Sequence, residues 1–93
     1  MREREDIQPA VMRYLKRKGG LWEKNKDVAG KTSGRPDIVG CYRGRYVAIE
    51  LKRPGAKPRK IQKAYLRLIE LAGGITIVAS EIEPIAEVLE AAS

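Results

Sequence analysis

Ile7, Val11, Tyr14 and Leu15 recur at helical spacing among charged neighbours, which predicts an amphipathic helix over residues 6–18, closed by Gly19-Gly20. Asp6 is the expected N-cap, and Pro9 falls near the first turn, where proline is tolerated. Residues 21–25 read as a short strand and residues 26–36 as a polar, basic loop with two glycines. Two β-rich runs, 37–42 and 46–52, flank Arg43-Gly44-Arg45 and predict an antiparallel hairpin. Residues 53–58 break regular structure. Ile61, Tyr65, Leu68, Ile69 and Ala72 then mark the apolar face of a second helix ending at Gly73-Gly74. A short buried strand over 75–79 and a third helix over 80–92 complete the chain. Ser80 with Glu83 resembles a capping box there, while Pro84 allows a later start. The order α-β-β-β-α-β-α predicts an α/β fold: a mixed sheet with helices packed on it, and a right-handed parallel crossover from 46–52 to 75–79.

With 93 residues the chain suits a single domain over 1–93. No apolar run approaches the roughly 18 residues that cross a bilayer, so no membrane partner is expected. The opening Met1-Arg2-Glu3-Arg4-Glu5-Asp6 lacks the apolar stretch of a secretory signal, and a cytoplasmic location, in a bacterial cell or a phage-infected host, is the expectation. A single cysteine, Cys41, forms no internal disulfide, and the absence of histidine removes both structural zinc and every mechanism with imidazole as general base. Chemistry is left to carboxylates, lysine, hydroxyls or a hard metal ion. Cys41 is expected to be a small buried residue, and Trp22 and Tyr14 to be core.

Charge narrows the class of partner. Nineteen Lys and Arg against twelve Asp and Glu give +7, which favours polyanions and salt-sensitive binding. The excess sits in the middle: residues 21–60 carry eleven basic and four acidic groups, residues 61–93 two and five. Nucleic acid is the leading expectation, and a merely solvated surface the bland one.

Side chains alternate along a strand, so Val47, Ile49 and Leu51 share one face while Glu50 and Lys52 share the other. A hairpin turning at Arg43-Gly44-Arg45 brings Asp37 opposite the end of the second strand, near Lys52. Two carboxylates and an ammonium thus converge. Close carboxylates repel unless they share a cation, and a divalent ion with oxygen ligands, magnesium or manganese, supplies one. A lysine beside such a site orients water or stabilises the charge of a pentacovalent phosphorus. Singly, Asp37 reads equally well as a turn cap, and Glu50 with Lys52 as a solvated pair on an exposed sheet face.

Gly34-Arg-Pro-Asp37, a gap of twelve residues, then Glu50-Leu-Lys52 matches the Pro-Asp…(Asp/Glu)-x-Lys signature of the restriction-endonuclease-like superfamily. Within it the chain most resembles the virus-type replication-repair nuclease (VRR-NUC) domain in its stand-alone phage or bacterial form. The likeness extends over nearly the whole chain, through an opening acidic helix, the G-x-P-D and E-x-K strands, Gln62 entering the next helix, and a glycine-bounded strand. The resemblance implies a restriction-endonuclease-like αβββαβ core with a C-terminal helix. It implies Asp37, Glu50 and the backbone carbonyl of Leu51 as ligands of Mg2+ or Mn2+, with Glu5, in competition with Glu3, as a further acidic ligand. Lys52 would position the attacking water, and Gln62 would stand beside the catalytic centre.

Lys57, Arg59 and Lys60, with Arg53 before them, follow the E-x-K strand and are candidates to grip phosphates. Lys31 and Arg35, with Lys24 and Lys26, precede the site and are candidates for the same groove. The expected activity is metal-dependent endonucleolytic cleavage of DNA. A non-catalytic nucleic-acid-binding module and a small ribonuclease are the alternatives. Stand-alone members of the family resemble Holliday-junction resolvases, which implies branched or four-way DNA as substrate and a homodimer for paired incisions. No base-reading motif is present, in keeping with recognition of DNA shape.

Overall fold

The computed structural model of the chain describes residues 3–25 and 34–92. Its centre is the antiparallel hairpin that the alternation predicts. Strand β1 (Leu21–Lys24) runs antiparallel to β2 (Ile38–Tyr42), which turns back as β3 (Arg45–Leu51). Strand β4 (Ile75–Ala79) joins β3 in parallel, giving one mixed sheet in the order β1-β2-β3-β4. Helix α1 (Glu3–Lys18) precedes the sheet, α2 (Lys60–Leu71) connects β3 to β4, and α3 (Ile82–Ala91) closes the chain. The fold is α/β, with the expected element order and a parallel β3–β4 crossover. No helix among the described residues is long and apolar enough to cross a membrane.

The hairpin turn is tighter than expected. Tyr42 pairs with Arg45, so only Arg43 and Gly44 lie outside the ladder. Both have positive φ, 51° and 82°, the backbone that matches a two-residue turn to twisted strands. Losing one residue from the turn changes the register. Ile38 pairs with Ile49, and one step further along, Asp37 comes level with Glu50, where a turn over Arg43-Gly44-Arg45 would set it level with Leu51, beside Lys52.

The two faces of the sheet are covered differently. On one, Ile38, Tyr42, Val47, Ile49, Leu51 and Ile77 pack with Val11 and Leu15 of α1 and with Ile85 and Leu89 of α3. Full burial of each such side chain is worth about 1.5–3 kcal/mol, so this layer carries most of the stability. Trp22 and Tyr14 pack against it, as expected of core aromatics. Trp22 also stacks on Tyr42 and donates its indole N–H to Gly19 O at 2.9 Å. The opposite face holds a smaller apolar cluster, Ala48 with Leu66 and Ile69 of α2, joined by Val39 and Tyr65. That thinner layer leaves room for polar groups beneath the start of α2.

Several boundaries and faces differ from expectation. Helix α1 begins at Glu3, so Asp6 lies inside it rather than capping it, and Pro9 lies within the helix. Helix α3 takes Glu81 as its N-cap, with Pro84 in the first turn, where its missing N–H has no intrahelical partner to lose; Ser80 does not cap it. In α2 the buried residues are Gln62, Leu66 and Ile69, whereas Ile61 and Leu68 are 43% and 66% exposed. The helix is rotated from the face its apolar residues suggested because its inner side must also seat a glutamine. Cys41 is exposed rather than buried. It shares a face with Val39, but α2 covers the β3 side of that face and leaves the Cys41 end of β2 open.

The end of α2 is set by glycines. Gly73, at φ 97°, lets its N–H reach Glu70 O at 3.0 Å while Gly74 N–H reaches Ile69 O at 2.9 Å. This pair of bonds satisfies the last carbonyls of a helix and reverses the chain into β4.

Candidate active site

Pro36 has no N–H to give to a ladder and ends β2 on its N-terminal side. At the next residue the side chain continues the pairing: Asp37 Oδ2 accepts the Leu51 N–H at 2.8 Å. The Asp37 carbonyl accepts the Asn25 N–H at 2.8 Å, which extends the β1–β2 ladder. Just past β3, the Lys52 N–H donates to Ala79 O at 2.9 Å, so the strand end is held on both sides. Asp37 is therefore a rigid part of the sheet end and sits beside the strand that carries Glu50.

Glu50 is only 2% exposed, because α2 covers its face of the sheet. Its Oε2 accepts Lys52 Nζ at 3.1 Å and Gln62 Nε2 at 2.7 Å. The alternation that puts Glu50 and Lys52 on one side of the strand produces the first contact. The second depends on the start of α2. Gln62 Oε1 accepts the Arg59 N–H at 2.8 Å, satisfying one of the donors that a helix N-terminus leaves over. A backbone N–H can only donate, so the amide oxygen must face Arg59 and the NH2 must face Glu50. The solvated, exposed Glu50–Lys52 pair of the bland reading is excluded by this burial.

Asp37, Glu50 and Gln62 are the buried polar or charged side chains found among the described residues, and all three lie at the same end of the same sheet face. Burying carboxylates is costly unless their charge is matched, and a buried ion pair stabilises poorly compared with apolar packing. Here Lys52 brings an ammonium to Glu50, and the site faces the positive end of α2, whose first turn contains no acidic residue. Among the described residues no group of three or more His, Cys, Asp or Glu side chains gathers into a cage. Asp37 and Glu50, two carboxylates on neighbouring strands, are nevertheless oxygen donors of the kind that suits magnesium. That ion retains water and takes one or two carboxylates plus substrate phosphates rather than an all-protein shell.

The glycine of G-x-P-D has a structural reason. Gly34 has φ 78°, and a Cβ on it would meet Ile61 O at 2.7 Å. The segment leading into Asp37 thus packs directly on the first turn of α2, where Gln62 is anchored.

Of the other expected residues, Arg35, Arg53, Lys57, Arg59, Lys60 and Lys24 are exposed around this end of the molecule, and Lys31 and Lys26 lie outside the described residues. Glu5 and Glu3 belong to the start of α1, but their side chains lie outside the described set. Sequence reasoning missed a cleft next to Arg35 and Pro36, lined also by Glu23, Asn25, Tyr46 and Tyr65. Strand alternation assigns Glu23 and Tyr46 a face, but only the pairing of three strands, with α2 packed over them, brings these residues together. No protein-family model, curated protein or solved structure matches the chain.

Proposed function

We propose that the chain is a divalent-metal-dependent DNA endonuclease of the PD-(D/E)xK kind, similar to VRR-NUC domains. The observation that carries this reading is the gathering of the buried polar side chains at one point: Asp37 and Glu50 on neighbouring strands, with Lys52 and Gln62 both bonded to Glu50.

Asp37, Glu50 and the Leu51 carbonyl would hold Mg2+ or Mn2+, with a glutamate of α1, Glu5 before Glu3, as a further ligand. When bound, the ion supplies positive charge to the phosphoryl oxygen as negative charge develops on it. Gln62 keeps Glu50 in one orientation, so the carboxylate enters the reaction preorganised. Lys52 Nζ, fixed beside Glu50, orients the attacking water and faces the charge of the pentacovalent phosphorus. Water adds its oxygen to phosphorus and gives up a proton to solvent, the bond to the departing sugar oxygen breaks, and that oxygen takes up a proton from solvent. Arg35, Arg53, Lys57, Arg59 and Lys60, with Lys31, grip flanking phosphates, and this fixes the position of the strand without reading its bases.

One such site cuts one strand, so paired incisions call for a symmetric homodimer. Branched DNA, with the four-way junction first, is the proposed substrate. Incubation of wild type, Asp37→Asn and Lys52→Ala with a supercoiled plasmid, a four-way junction and RNA, in magnesium, manganese or EDTA, tests the reading. Metal-dependent cutting of DNA that both substitutions abolish while binding persists is the expected result. Binding without cutting in any metal would leave a non-catalytic module, and preferential cutting of RNA a ribonuclease.

A further inference from the structure

A cleft of about 240 Å3 opens on the α2 side of the sheet, lined in part by Arg35 and Pro36, the two residues before Asp37. Its floor is Val39, two residues along β2 from Asp37 and on the same face, a separation of about 7 Å. Glu23, paired with Val39 across the β1–β2 ladder, forms one wall together with Asn25. Tyr46 of β3 and Tyr65 of α2 form the other, and Arg35 stands at the rim. The cleft exists because α2 covers β3 and leaves the β1–β2 part of this face open.

We infer that this cleft receives one unpaired nucleobase of the strand lying across Asp37 and Glu50, and that it prefers a base with an exocyclic amino group, guanine first. The location next to a scissile phosphate rests on the nuclease reading; the base site itself rests on the cleft. Two phenol rings offer flat apolar surface to a heteroaromatic ring, and such stacking is how single-stranded bases are held without pairing. Glu23 is acceptor-only, and its carboxylate selects bases that present N–H groups. Guanine presents a ring N–H beside its amino group and meets both carboxylate oxygens. Adenine and cytosine present an amino group alone, and thymine turns carbonyl oxygens toward the same wall. Burial, then the neighbouring Tyr65 hydroxyl and Glu23 carboxylate, raise the Tyr46 phenol above its usual 10.0. Tyr46 therefore stays a neutral donor at ordinary pH, within reach of base carbonyl or ring-nitrogen acceptors. At about 240 Å3 the cleft falls just below the range of drug-sized pockets and has room for a single base.

The test is NMR titration of the full chain in EDTA with dGMP, dAMP, dCMP, TMP and 2-deoxyribose 5-phosphate, followed at Val39, Tyr46 and Tyr65. Binding strongest for dGMP and weakest for TMP, by about tenfold between them, is expected, with shifts centred on those three residues. Glu23→Gln, an exposed change that leaves the core intact, should erase the preference for dGMP while retaining base binding. Tyr65→Ala should weaken every base by about tenfold, with its thermal melt recorded alongside. Equal shifts from deoxyribose phosphate and from dGMP would overturn the proposal, as would shifts centred elsewhere or a base preference that Glu23→Gln leaves unchanged. Hydrolysis plays no part in these titrations. Failure here with metal-dependent cutting intact sinks the base site alone, and base binding without cutting sinks the nuclease reading alone.

Discussion

Gln62 Nε2 donates to Glu50 Oε2 at 2.7 Å while Oε1 of the same amide accepts the Arg59 N–H at 2.8 Å. One side chain therefore closes the first turn of α2 and orients a buried carboxylate on β3. Fold and site are coupled at this residue. Gln62→Ala should lower stability by about 1–3 kcal/mol, combining loss of a cap with a poorly satisfied buried acid. It should also reduce cutting more than it reduces DNA binding. Gln62→Glu should be worse on both counts, since it sets a third carboxylate against Glu50. Thermal melts and single-turnover cleavage of the two variants check this.

Asp37 and Glu50 are level on adjacent strands, and both are proposed ligands of the divalent ion. Asp37→Asn retains an oxygen for the Leu51 N–H but lacks the charge that holds a cation. Added magnesium should raise the melting temperature of wild type by mass action and leave that of the variant unchanged. Thermal melts in EDTA and in magnesium check this, and an equal rise in both proteins would remove Asp37 from the ion's ligands.

How far the sequence discloses this arrangement differs from element to element. The shared face of Glu50 and Lys52 is legible because a strand alternates strictly, and the strand boundaries are legible in their glycines. The register is not, since Arg43-Gly44 and Arg43-Gly44-Arg45 are equally good turns on paper and differ by one residue in what faces Asp37. The inner face of α2 is misread for a related reason: Ile61 and Leu68 outweigh Gln62 in any apolar periodicity, yet the sheet beneath presents a carboxylate that only a hydrogen-bonding side chain can meet. Cys41 shows the same limit. Alternation assigns it a face, and the extent of α2 decides whether that face is covered.

Gly34 joins the approach to Asp37 to the first turn of α2. Gly34→Ala adds a methyl group toward Ile61 O at a positive φ of 78°, at a cost of about 1–3 kcal/mol. The strain falls where Gln62 is anchored, so cutting should decline together with stability. Gly55, with open space around its Cβ position, serves as the control: Gly55→Ala should spare activity. Equal cleavage rates for the two variants would separate Gly34 from the site.

Phosphate contacts release counterions, so DNA affinity should fall steeply with salt. Substituting a residue that grips one phosphate should flatten the log–log slope by about 0.9. Lys57→Ala and Lys60→Ala, both exposed near the start of α2, should each do so for every DNA sequence alike. Fluorescence anisotropy across a salt series measures the slope, and an unchanged slope would remove that residue from the DNA-binding surface.

The nuclease reading requires that Asp37 and Glu50 together hold a divalent ion. Paramagnetic broadening of the protein's NMR signals by substoichiometric Mn2+ tests it most directly. The account predicts selective loss of the Leu51 backbone amide and the Gln62 side-chain amide in wild type, and their survival in Asp37→Asn. Broadening centred on the acidic α3 residues Glu83, Glu87 and Glu90, or no selective broadening at all, would contradict it.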